Sequence, residues 1–111
     1  MRRQDFLEFV NDSVMGSVFS RYKTPALVNL DFTPTFTNVL LQKDFDLGLD
    51  AAHELGVVMP VASVVRNLVA QEVGNNNVDQ DFASLILTVA AGSGLSLQPE
   101  NADVSDGLEV S

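Results

Sequence analysis

The sequence predicts an all-α domain of four to five helices around one long central helix, and three observations carry that expectation. Apolar residues recur at three- and four-residue intervals through most of the chain. Glycine, asparagine and proline stand where such runs stop. No internal repeat and no linker divides the chain. With 111 residues the chain is one domain's worth, and 46% apolar composition is that of a globular protein.

The first helix is expected from Gln4 to about Val14, with Phe6, Phe9, Val10 and Val14 at helical spacing and Gly16 as its stop. Ser17 to Asn29 is ambiguous. Thr24-Pro25-Ala26-Leu27 suits a short helix with Pro25 in its first turn. Asn29 to Thr35 reads as a loop, because Pro34 disfavours helix at Thr33. The strongest helix is expected from Thr35, as cap, to Leu55, with Gly56 as its left-handed stop. On a helical projection Leu40, Leu41, Phe45, Leu47, Leu49, Ala51, Ala52 and Leu55 cover more than half the circumference, which predicts a helix packed on several sides. Gln42, Asp46, Asp50 and His53 mark its wet side, with Lys43 at the edge and Asp44 inside the apolar arc.

Val57-Val58-Met59-Pro60 is short and apolar, compatible with a strand but better read as leading into a further helix with Pro60 near its start. Its expected face is Val61, Val64, Val65, Leu68, Val69 and Val73, and Gly74-Asn75-Asn76-Asn77 ends it. Asp79 or Asp81 caps the last helix, whose apolar face is Phe82, Leu85, Ile86, Val89 and Ala90, and Gly92 and Gly94 close it. Residues 1–97 form the domain. Residues 98–111 read as a disordered acidic tail, with Glu100, Asp103, Asp106 and Glu109 and no base.

The composition narrows function. The net charge is −9, of which −5 falls on residues 1–97, so a phosphate backbone is repelled and nucleic acid is not an expected partner. Arg2, Arg3, Arg21 and Lys23 form the only positive region. There is no cysteine and one histidine, which excludes disulfides and leaves no expected metal site. No apolar run reaches the about 18 residues of a membrane span, and the start is not a signal peptide, so a soluble cytoplasmic protein is expected.

Several residues invite chemistry, and each has a structural reading beside it. Asp44, if inward, needs a partner such as Arg66 or a helix terminus. Lys43 either pairs with Asp46 at i+3 or stands as a cation at the lip of a cleft. His53 reads as a surface histidine. Ser17, Ser20, Arg21 and Lys23 form either a solvated loop or a place where arginine holds a carboxylate. Phe32 and Phe36 flank Pro34 as core or loop anchors. Gly92-Ser93-Gly94 follows a helix and precedes no lysine, so it is not a phosphate loop. No complete catalytic set emerges.

The stretch Phe32-Thr-Pro-Thr-Phe36 followed by Leu40-Leu41-Gln42-Lys43-Asp44-Phe45-Asp46-Leu47-Gly48-Leu49 resembles the C-terminal domain of the 3-hydroxyisobutyrate dehydrogenase (6-phosphogluconate dehydrogenase-like) family. Its signature is a phenylalanine seven residues before a Lys-Asp pair, an apolar residue, one further position and a leucine. Phe36, Lys43, Asp44, Phe45 and Leu47 hold that register. Ala51-Ala52, Glu54-Leu55-Gly56-Val57, Met59-Pro60, Gly74 and Asp81-Phe82-Ala83-Ser84 continue the likeness, which covers about residues 4–97.

The resemblance implies an all-helical domain that works beside an N-terminal Rossmann domain in an NAD- or NADP-dependent β-hydroxyacid dehydrogenase. Lys43, Phe36 and Asp44 are then the cofactor-side residues: Lys43 touching cofactor or substrate, Phe36 lining the site and Asp44 orienting the backbone. The acid/base lysine and asparagine of such enzymes lie on a helix before this stretch, and no residue of this chain substitutes for them. The chain is therefore expected to be inactive alone, to act as a truncated or split part of an enzyme, and to associate with itself or with a Rossmann-containing homologue. A non-catalytic dimerisation or binding module is the alternative.

Overall fold

The computed structural model describes residues 1–109. Among these residues five helices form: α1 (Arg3–Asn11), α2 (Val18–Asn29), α3 (Asn38–Glu54), α4 (Pro60–Gly74) and α5 (Leu85–Gly92), with a 3-10 turn at Phe82–Ser84 leading into α5. Among the described residues no strand is present, and one isolated antiparallel bridge pairs Thr37 with Asp81. The helices make two pairs. The antiparallel α3–α4 hairpin is the larger, α1 packs on α2, and the 3-10 turn and α5 join the two.

Three helix ends follow directly from the sequence. Past α3, Gly56 takes φ +69°, Gly56 N donates to His53 O and Val57 N to Ala52 O. Past α4, Asn76 takes φ +70°, Asn76 N donates to Val73 O and Asn77 N to Glu72 O. Past α5, Gly94 takes φ +74°, with Gly94 N donating to Ala91 O and Leu95 N to Ala90 O. Each is the paired-bond stop in which a left-handed residue lets two orphan carbonyls find donors. Pro60 opens α4 at its first turn, where its missing N–H costs nothing.

Two boundaries depart from expectation. The segment from Ser17 to Asn29 is a single twelve-residue helix, with Pro25 inside it and not at its start. Ser17 and Ser20 form a reciprocal cap: Ser20 N donates to Ser17 Oγ and Ser17 N to Ser20 Oγ, at 2.9 and 2.8 Å. That fixes the first turn seven residues before the proline. The cap of α3 is Thr37, whose hydroxyl accepts from Leu40 N, and not Thr35, which is engaged elsewhere.

Burial departs further. Among the described residues only Leu7, Val28, Ala52, Val69, Ala83 and Ala90 are buried apolar residues. On α1 the buried residue is Leu7, while Phe6 and Phe9 face out. The central helix is not enclosed on several sides: Ala52 is its one buried apolar residue, and Leu40, Leu47 and Leu55 are exposed. On the valine face of α4 only Val69 is buried, while Val61 and Val64 are exposed. The interior is completed by polar groups. Glu72 is fully buried and accepts from Asn77 Nδ2, Ser84 Oγ and Thr88 Oγ1. The buried Asn38 amide donates to Asn77 O and Ser84 Oγ, tying the start of α3 to the end of α4 and the 3-10 turn.

The tail expected to be disordered over 98–111 is fastened in its first part, while 110–111 lie outside the described residues. The Glu100 carboxylate accepts from Arg3 N at 2.7 Å and Gln4 N at 3.0 Å, in the first turn of α1. The Arg3 guanidinium donates to Leu27 O, Val28 O and Gln98 O. Asn29 and Ala102 exchange two bonds of 2.9 Å. An acidic segment stays ordered here because its carboxylate meets the orphan N–H groups of a helix start.

Candidate functional site

The most enclosed ion pair among the described residues joins three segments. Lys23 Nζ on α2 lies 2.7 and 2.8 Å from the two oxygens of Asp81, and both side chains are buried. Asp81 also accepts from Thr35 N, Thr35 Oγ1, Phe36 N and Ala83 N. One carboxylate therefore caps the 3-10 turn, holds the loop that carries Phe36 and neutralises Lys23. Lys23 Nζ lies 4.3 Å from the centroid of the Phe82 ring, a cation–π contact on its remaining side. Burial raises the Asp81 carboxyl, but the bonds from Lys23, Ala83, Thr35 and Phe36 outweigh it and hold the group below its ordinary value.

This hub sets the floor of an aromatic groove. Phe19, Tyr22, Phe36 and Phe82 line it together with Val18, Thr35 and Leu108. The Phe19 and Phe82 rings stack with centroids 6.0 Å apart, and Tyr22 meets Phe19 edge-on at 5.4 Å. Phe36, one of the three residues singled out by the Lys-Asp signature, lies here.

Lys43 lines a separate, shallow groove of about 300 Å³ along α3, with Val39, Gln42, Asp46, Leu47 and Asp50. Its expected i+3 partner is engaged elsewhere: Asp46 accepts from Arg66 Nε of α4 at 2.8 Å. That hydrogen bond holds Asp46 below, and Arg66 above, the ordinary value. Asp50 is two turns along, about 10 Å by helical rise. Lys43 consequently has no ion-pair partner within 4.0 Å among the described residues.

Asp44 does not face the core. It is exposed, and it makes no side-chain hydrogen bond among the described residues; Arg66, offered as its partner, belongs to Asp46. It borders a third cavity, of about 220 Å³ between α3 and α4, with Leu41, Phe45, Gly48, Leu49, Met59 and Ala62. The arc that seemed to enclose Asp44 is open to solvent because α3 packs on α4 along one side only. The structure thus distributes Phe36, Lys43 and Asp44 among three concavities. Arg21 spends its guanidinium on Asn11 O, and His53 is exposed.

Sequence reasoning passed over Lys23, Asp81 and Glu72 as interior groups. Lys23 and Asp81 are 58 residues apart, so no spacing rule joins them. Asp81 was legible only as a cap, a role it does fill by accepting from Ala83 N. Among the described residues no grouping of three or more His, Asp or Glu side chains is close enough for a metal ion, and no helix is long and apolar enough to cross a membrane.

A family model described as NAD-binding of NADP-dependent 3-hydroxyisobutyrate dehydrogenase matches residues 1–89. No curated protein matches the chain. The matched span runs from α1 through most of α5 and includes the Lys23–Asp81 hub, the four rings of the aromatic groove and the Lys43 groove, so this all-helical chain belongs to the family of the NAD-binding domain of NADP-dependent 3-hydroxyisobutyrate dehydrogenase.

Proposed function

We propose that the chain is the helical C-terminal domain of an NAD(P)-dependent β-hydroxyacid oxidoreductase, and that the α3 face bearing Val39, Lys43 and Leu47 forms one wall of a cofactor and substrate cleft whose other wall is a Rossmann domain. The observation that carries this reading is the unpaired state of Lys43. Its neighbouring carboxylate, Asp46, is drawn across to Arg66, which leaves the Lys43 ammonium without an ion-pair partner in a groove lined by Val39, Gln42, Asp46, Leu47 and Asp50. Such a cation is suited to the carboxylate of a hydroxyacid or to a phosphate oxygen of the cofactor, and the Gln42 amide beside it adds a second donor. Asp46 is neutralised by Arg66 and Asp50 lies two turns along the helix, so Lys43 with Gln42 is the part of the groove that fits an anionic ligand.

When bound, a nicotinamide supplies the hydride acceptor or donor. The part taken by this chain is binding and exclusion of water. Lys43 holds the anionic end of a ligand, and Val39 and Leu47 cover it from solvent. Phe36, held by the bond from its N–H to Asp81, lies in the separate aromatic groove and reaches a ligand only where that ligand spans both grooves. Asp44 belongs to the opposite flank of α3 and works only through the backbone it shares with Lys43. The acid/base residues come from the partner domain, so the chain alone has no turnover.

Joined behind a Rossmann domain and linker helix of the same family, the chain should oxidise a β-hydroxyacid. Lys43→Ala should lower kcat/KM at least about tenfold, equal to about 1.4 kcal/mol of transition-state stabilisation. Equal rates for the two versions would remove Lys43 from the cleft.

A second reading, a helical assembly module in a cytoplasmic setting, has one observation in its favour. The tip of the α3–α4 hairpin exposes Leu55, Val57, Val58, Met59, Val61 and Val64 together. Light scattering after gel filtration tests it, and a strictly monomeric chain at high concentration counts against it.

A further inference from the structure

Beyond Ala102 the chain does not leave the domain. Asp103, Val104, Ser105 and Gly107 form one side of a cleft of about 370 Å³ against α1 and α2. At Gly107 the backbone turns with φ +71°, and a Cβ there would stand 2.8 Å from Arg21 Cβ, so the strand of chain passes directly against the Arg21 stem. Gly107 N donates to Ser105 Oγ and Leu108 N to Asp106 Oδ1, which tightens the turn. The turn delivers Leu108 to the aromatic groove of Phe19, Tyr22, Phe36 and Phe82.

We propose that residues 103–109 are a tethered plug, which closes the aromatic groove with Leu108 and releases from it while Gln98–Ala102 stays fastened. The two halves of the tail differ in how they are held. The upstream half has the Glu100 bonds to Arg3 and Gln4, the Arg3 bond to Gln98 and the double bond between Asn29 and Ala102. The downstream half has no side-chain hydrogen bond to the helices among the described residues, and Leu108 remains 57% exposed in its place. A fastened tether keeps the plug at high effective concentration, so a weakly held leucine still occupies the groove most of the time. Whatever enters this groove competes with residue 108. The proposal concerns the aromatic groove alone and does not depend on the role of Lys43.

Tyr22 is the only tyrosine and there is no tryptophan, so intrinsic emission reads this groove and nothing else. The test compares the full chain, a chain ending at Ala102 and the full-length variant Leu108→Asp. Acrylamide quenching of Tyr22 and binding of the apolar dye anilinonaphthalene sulfonate are measured in each. Both altered chains should show stronger quenching and dye affinity raised about three- to tenfold, the range that partial burial of one leucine covers, with unchanged helix content. If the shortened chain loses helix content, Leu108→Asp alone decides. Tyr22 equally protected, and dye bound equally, in the full chain and in Leu108→Asp would overturn the proposal.

Discussion

Replacing Lys23 with methionine keeps the length and apolar stem of the side chain and removes only the ammonium. It leaves the Asp81 carboxylate buried with four uncharged donors from Thr35, Phe36 and Ala83 and no counter-charge. Breaking a buried ion pair from one side costs about 3–5 kcal/mol, because the remaining charge stays desolvated. That is a large share of the about 5–15 kcal/mol that holds a domain of this size together. Thermal unfolding followed by circular dichroism should show a loss of roughly 12–20 °C. The double variant Lys23→Met with Asp81→Asn should recover part of that loss, since the orphan charge is gone. The acid limb carries the sign. The folded-state value of Asp81 is lowered, so its contribution is fully present above the unfolded value of about 3.9 and disappears as pH falls through the lowered value. Lys23→Met should therefore lose less stability on acidification than the parent chain, because protonation relieves its unpaired carboxylate. A single-variant cost below about 1 kcal/mol, or a double variant equal to the sum of its singles, would refute the hub.

Two further outcomes follow from helix ends. Gly56→Ala should destabilise by about 1–2 kcal/mol, read from urea midpoints. The left-handed backbone is its whole cause, since nothing lies within 4 Å of the added Cβ. Ser17→Ala should cost about 1 kcal/mol and loosen the first turn of α2, seen as faster amide exchange at Ser20, because the cap and its reciprocal bond are lost together.

What the sequence made legible was whatever depends on near neighbours. Gly56, Asn76 and Gly94 mark three helix ends because their backbone angle is a local requirement. Pro60 marks a start for the same reason. Thr35 was read as the cap of α3, but Asp81 claims it through a bond across 46 residues and Thr37 caps the helix instead. Pro25 drew attention as a helix start, yet the serine pair eight and five residues earlier controls the turn, and the proline lies inside α2. Lys43 and Asp46 have the spacing of a pair, and only the approach of Arg66 from α4 separates them. The apolar arc of α3 was read correctly as composition and wrongly as burial. Hydrophobic periodicity says which face avoids water, and does not say whether the covering surface belongs to the same chain.

The same distinction gives the exposed residues their meaning. The radius of gyration is 15.5 Å, against about 13 Å for a compact chain of this length. The elongation separates the α3–α4 hairpin from the α1–α2 pair, so neither can shield the other. Buried ionic and amide groups hold the junction between them: Asp81 with Lys23 on one side, Glu72 with Ser84, Thr88 and Asn77 on the other. Polar hubs of this kind fix geometry well but add little net stability, since desolvation offsets most of their attraction. A domain built this way keeps its groove-forming loop rigid while leaving Leu47, Val58 and Val64 open to water. Each such side chain yields about 1.5–3 kcal/mol when fully covered. On the proposed function, that gain would be made along the sides of α3 and α4 that remain bare.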